Sequence, residues 1–167
     1  SDPKQLVQLI AIAKANIVAS KILDIDQHFF PNPTEINMIL GCDSLFEFDG
    51  EVFGKPQNSK EAEIRWSKMS SGSGFLHTGH ALLKRNIEFS KNKNVSFSHL
   101  FKEVVSTKLT FSSLSLSEIK SYVATGEPLN CAGGFALEGQ GSKFVKRIEG
   151  CYSNVIGLSL PWLHGVL

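Results

Sequence analysis

The chain has 167 residues, 42% of them hydrophobic, and a formal net charge of +1 at pH 7. That length fits a single domain able to bury about two-thirds of its unfolded surface. The near-neutral balance argues against nucleic acid or an anionic membrane as a partner.

From the amino terminus, residues 2–21 read as a helix, with Pro3 suited to a first turn and Leu6, Leu9, Ile10 and Ala13 recurring as an apolar stripe. Residues 24–35 form a connector rich in Pro, Asn and Asp. "INMILG" (36–41) is a short apolar run, the signature of a buried strand. Asp49-Gly50 is a two-residue hairpin turn, because both turn positions want positive φ. In that register Phe46, Phe48 and Phe53 share a face, Glu51 sits opposite Phe48, and the rings read as core. Asn58 caps a second helix in a box-like arrangement with Glu61; Ala62, Trp66 and Met69 are its inner stripe. "SSGSG" breaks that helix and "FLHTGHALL" (75–83) reads as a strand. Residues 84–99, with Lys84, Arg85, Lys91 and Lys93 among Asn and Ser, read as a solvated hairpin tip.

"VSTKLTF" (105–111) alternates as a half-buried strand through Val105, Thr107, Leu109 and Phe111. Ser115 and Glu118 make a capping box for a helix that Gly126 stops. "CAGGFALEGQG" is a loop, "KFVKRIEG" a strand, and "LSLPWLHGVL" a short closing helix with Ser159 as cap and Pro161 in the first turn. Strands and helices interleave, and a hairpin beside longer crossovers favours an α/β fold with a mixed sheet flanked by helices over a purely parallel one.

The three cysteines, Cys42, Cys131 and Cys151, are odd in number and widely spaced. They give neither a disulfide framework nor a CxxC metal site, and read as small buried thiols in a reducing, cytoplasmic compartment. No apolar run of the sequence approaches the ~20 residues of a membrane span, and the start lacks the layout of a signal peptide. Asp43 follows the apolar run Ile36–Leu40, where sites of open α/β sheets gather; it is either an acid that holds a cation or takes a proton from water, or a turn aspartate bonding nearby backbone. Lys55, in Gly-Lys-Pro, is either a phosphate contact or a solvated lysine. Lys14 lies near the first helix's stripe and could simply snorkel. Glu138 sits among glycines that let a ligand approach closely, or is an exposed loop acid. Glu127 reads as a polar turn residue. His77 and His80 are three apart on a strand and point to opposite faces, which does not make a zinc site.

Together, "AKA", "GCDSLFEFDGEVFGKP", "HTGHALL", "SEIKSYVATGEPLNCAGGFALEGQG", "FVKRIEG" and "SNVIGLSLP" resemble the Maf family in order and spacing, over essentially the whole chain. These are nucleoside triphosphate pyrophosphatases, also called septum formation inhibitors, and the wording is most similar to cyanobacterial members. The resemblance implies a fold related to inosine triphosphate pyrophosphatases, a homodimer, and hydrolysis of a nucleoside triphosphate to monophosphate and pyrophosphate with a divalent cation, magnesium or manganese. It matches Asp43 to the family's proton acceptor, where a shared metal would also sit. It matches Lys55 to the Gly-Lys-Pro lysine near the phosphates, Lys14 to the Ala-Lys-Ala lysine, and Glu138 to a substrate-facing position that is glutamine in many members. The alternative it leaves is a catalytically weak nucleotide-binding regulator of septum formation.

The sequence also departs from the family pattern. The family opens with a strand, a Ser-x-Ser-Pro-Arg-Arg loop and an Asp-Glu pair, all absent ahead of Ser1, so the expectation is one amino-terminally truncated domain with an exposed sheet edge and weakened activity. "SSGSGFLH" replaces the usual Ser-Gly-Arg-x-His, and Glu138 replaces a neutral amide. "NCAGGFALEG" resembles members acting on methylated guanosine triphosphate and "CYSNVIGLSLP" those acting on pyrimidine triphosphates, so the preferred base stays open.

Overall fold

The computed structural model describes residues 2–23, 35–86 and 96–167, with His99 described by its backbone alone. Nearly all of the expected connector, and Lys91 and Lys93, lie outside them. Along the described residues run α1 (Pro3–Leu23), β1 (Met38–Phe48), β2 (Glu51–Phe53), α2 (Ser59–Met69), β3 (Ser73–Arg85), β4 (Phe97–Phe111), α3 (Leu116–Ala124), β5 (Val145–Glu149), α4 (Tyr152–Ile156) and α5 (Leu160–Val166). The strands form one sheet in the order β2-β1-β3-β4-β5, with helices on both faces, and its four described ladders are all antiparallel.

The register fixes two faces. Asp43 lies opposite Gly79, and Gly41 opposite Ala81. These residues, with Ile39 and Leu83, face α1. Here the expected stripe is corrected. Leu9 is 65% exposed and Leu6 and Ala13 are exposed too, whereas Val7, Ala11, Ala15, Ala19 and Ile22 are buried. The reason is close approach. A Cβ on Gly41 would overlap the Ala11 carbonyl oxygen and come 2.9 Å from the Ala15 nitrogen; one on Gly79 would meet Val7's backbone. The helix therefore seats its small residues into glycine notches, and its larger Leu6 and Leu9 turn outward. By length and composition Pro3–Ile22 is enough to cross a membrane, contrary to the expectation that no segment is. Its buried face is nevertheless packed on the sheet.

The opposite face carries the main core. Phe46, Leu76, Leu109 and Phe111 from the sheet meet Trp66 and Met69 of α2, Ile119, Tyr122 and Val123 of α3, and Phe135 and Phe144 of the following loop. Edge-to-face pairs link Trp66 to Phe111, Tyr122 and Phe144 at 5.4–5.6 Å between centroids. Each such pair contributes roughly 0.5–1.5 kcal/mol beyond its area burial. The Asp49-Gly50 turn forms as expected, with φ of 51° and 74°, and pairs Phe46 with Phe53 and Phe48 with Glu51. The capping box at Ser115 and Glu118, the stop at Gly126 and the Ser159 cap all form.

Several strand boundaries differ from the sequence reading. The "INMILG" strand does not end before Cys42; β1 runs unbroken to Phe48, so Asp43 lies in mid-strand rather than at a strand tip. Strand β1 pairs with β2 only through Phe46–Phe48, and its exposed edge explains why Met38 and Leu40 are partly solvated. Residues 73–74 join β3, and β4 begins at Phe97, so at the expected hairpin tip Lys84 and Arg85 are already ladder, paired with His99 and Phe97; residues 87–95 lie outside the described ones.

Candidate active site

Asp43 and Lys14 are brought together by the glycine-seated helix. Lys14 lies one turn from Ala11 on α1, and its ammonium Nζ is 2.5 Å from Asp43 Oδ1 and 3.1 Å from the Cys42 carbonyl oxygen, to both of which it donates. The Asp43 side chain is 20% exposed and Lys14's 52%. Burial pushes the adjacent Cys42 thiol up; the Lys14 charge opposes that and the Asp43 charge adds to it.

The next residue, Ser44, points to the other face, where its hydroxyl meets Thr78 Oγ1 at 2.8 Å. There it lines a pocket of about 210 Å³ with Leu76, Cys131, Phe135, Glu138 and Ile156. Lys55 follows β2 in Gly54-Lys55-Pro56. Arg65 donates to the Gly54 carbonyl at 2.6 Å and lies over the Phe53 ring at 4.9 Å, which fixes the backbone just ahead of Lys55. Glu61, paired with Arg65, also accepts the Gln57 N–H at 2.7 Å, one residue earlier than an ordinary capping box. Burial raises the Cys131 thiol; the Glu138 and Glu127 carboxylates raise it further and the Lys55 charge lowers it. The structure thus pairs Lys14 with Asp43 on one face of β1 and puts Glu138 in a pocket on the other, with Lys55 one residue beyond the anchored Gly54. The two groups adjoin through consecutive residues of one strand.

Glu127, which the sequence gives as a polar turn residue, is more than that. Its carboxylate accepts the Tyr122 hydroxyl at 2.6 Å and the backbone N–H groups of Gln140 and Gly141 at 2.8 and 2.9 Å. Burial favours the neutral acid, but these bonds outweigh it and hold Glu127 below its ordinary value. Burial and the same contact push the Tyr122 hydroxyl up. The signal was present in "GQG": a Cβ at Gly139 would collide with the Glu127 carboxylate, and one at Gly141 with the Tyr122 hydroxyl. Trp66 Nε1–H donates to the Gly134 carbonyl at 2.8 Å and ties the preceding part of the loop to α2.

The two histidines do face opposite ways. His77, 2% exposed, contacts Ser106 Oγ through Nδ1 at 2.7 Å and Glu47 through Nε2 at 3.0 Å. His80 accepts the Ser159 N–H on Nε2 at 2.9 Å and packs against the Trp162 ring, tilted by 42° at 4.7 Å between centroids, fixing the start of α5.

The whole chain, residues 1–167, matches the family described as Maf-like protein. A nucleoside triphosphate pyrophosphatase of Prochlorococcus marinus is 53% identical over 164 residues, covering 98% of this chain and 77% of that protein. A protein of the same name from Parasynechococcus marenigrum is 51% identical over 166 residues, covering 99% of this chain and 75% of its own length. A match to the family along every residue, with relatives at this identity over nearly the full chain, means that the chain belongs to the Maf-like protein family.

Proposed function

We propose that this chain hydrolyses nucleoside triphosphates between the α and β phosphates, releasing monophosphate and pyrophosphate. The observation that carries the reading is the Lys14–Asp43 pair at the β1 edge, one residue along the strand from Ser44, which lines the Glu138 pocket on the opposite face, in a chain whose relatives bear that name. Attack on phosphorus builds charge on the non-bridging oxygens and on the leaving pyrophosphate. In this reading Asp43 takes the proton of the attacking water, a role that typically contributes ~10²–10⁴-fold. Lys14 orients that carboxylate and, with Lys55, offsets phosphate charge. Glu138, Ser44 and Phe135 contact the nucleoside end.

A divalent cation fits this set only as a shared guest. Among the described residues no three His, Cys, Asp or Glu side chains cluster. Asp43 would hold magnesium or manganese as one protein carboxylate, with substrate phosphates and water completing the shell, the usual arrangement for magnesium. When bound, the ion supplies charge neutralisation for the triphosphate. A homodimer and a cytoplasmic setting belong to the same proposal, carried by the family likeness. Pyrophosphate release, measured across a panel of triphosphates with and without magnesium, tests the reading. Tight nucleotide binding without release would favour a regulatory role instead.

A further inference from the structure

We propose that Glu127 is a positioning residue whose carboxylate, braced by Tyr122, shapes residues 136–141 and so aims Glu138 into the pocket. The functional part rests on the reading of that pocket as the nucleoside site. The geometry is that of a loop wrapped around a charge. Oε1 of Glu127 accepts from the Tyr122 hydroxyl and the Gly141 N–H, and Oε2 accepts from the Gln140 N–H. Tyr122 is 1% exposed and packed against Trp66 and Phe144, so the brace is anchored in the core. Gly139 has no room for a side chain because the Glu127 carboxylate carbon would lie 2.7 Å from its Cβ. Glu138 stands between Leu137, buried in the core, and this glycine, and lines the pocket with Ser44 and Phe135. Its backbone is therefore held on both sides, and the charge of Glu127 secures one of them.

The carboxamide of Glu127→Gln would present N–H donors where the loop offers N–H donors, while keeping the volume. Tyr122→Phe removes only the brace. Two readouts on the full chain separate the parts of the proposal. Hydrogen exchange at residues 137–141 should quicken about tenfold in Glu127→Gln, and less in Tyr122→Phe, with α2 unchanged. KM for the best triphosphate should rise about tenfold while kcat falls far less, and the rise should largely vanish in a Glu138→Gln background, where there is no carboxylate left to aim. Unchanged exchange in both variants overturns the positioning role. Faster exchange with unaltered KM upholds the brace but removes the pocket from substrate binding, and with it the functional part of the proposal.

Discussion

Lys14 and Asp43 are paired across 2.5 Å because Gly41, two residues before the aspartate, lets α1 lie directly on β1. Neither partner approaches the other by side-chain length alone: the lysine rides on a helix turn whose backbone nearly touches the strand. Ionic attraction then acts between groups that packing has already brought together.

Asp43→Asn should reduce pyrophosphate release by ~10²–10⁴-fold, since the amide cannot take a proton from water. The lost ion pair involves a half-exposed lysine, so the stability change should stay below about 1 kcal/mol. Parallel turnover and thermal melting measurements check this; hydrolysis within a few-fold of the unaltered chain would exclude Asp43 as the base.

Gly41→Ala should destabilise the fold by about 1–3 kcal/mol, the cost of overpacking a close backbone contact. It should also lower activity, because the displaced helix carries Lys14. Denaturant unfolding and turnover of the same sample test both effects; an unaltered midpoint would show that the helix yields freely.

Glu138→Gln should change which nucleobase is preferred, shifting the ratio of kcat/KM values between bases by roughly 10–100-fold. A carboxylate only accepts hydrogen bonds, whereas an amide both accepts and donates. Assays over the natural and methylated triphosphates would expose the shift. Identical selectivity in the variant would place the base elsewhere.

Acid should weaken the fold through His80. Burial lowers its pKa below the ordinary 6.5, opposed only in part by the carbonyls and charge around Glu103 and Thr78. The unfolded chain therefore binds a proton that the folded chain refuses, so this contribution is complete above pH 6.5 and declines as the pH falls below it, until the folded pKa is passed. The slope within that window is bounded by ~1.4 kcal/mol per pH unit, the value for one whole proton. Melting against pH for the parent and His80→Gln should show the slope in the first and its loss in the second.

Local rules made much of the fold legible. The Asp49-Gly50 turn, the Ser115–Glu118 box and the Ala62–Trp66–Met69 stripe each depend on a few neighbours in sequence, and each formed. Helix α1 was misread because hydrophobicity ranks leucine above alanine, while close approach to Gly41 and Gly79 rewards the smaller residue. The sequence puts Asp43 at a strand end because an unpaired acid stops an apolar run. A partner on a distant helix removes that penalty and lets the strand continue. Glu127 reads as a mere turn residue because its partners, Gln140 and Gly141, lie 13 and 14 residues further on.

The paired glycine notches have one more consequence. They act as a vernier for α1: Val7 sits over Gly79, and Ala11 and Ala15 over Gly41, so sliding by one turn would carry Lys14 about 5.4 Å along the axis and out of reach of its acid. Bulky interdigitating side chains can repack to tolerate such a slip; backbone resting in a gap with no Cβ has only one seat, and the charge geometry inherits that single setting.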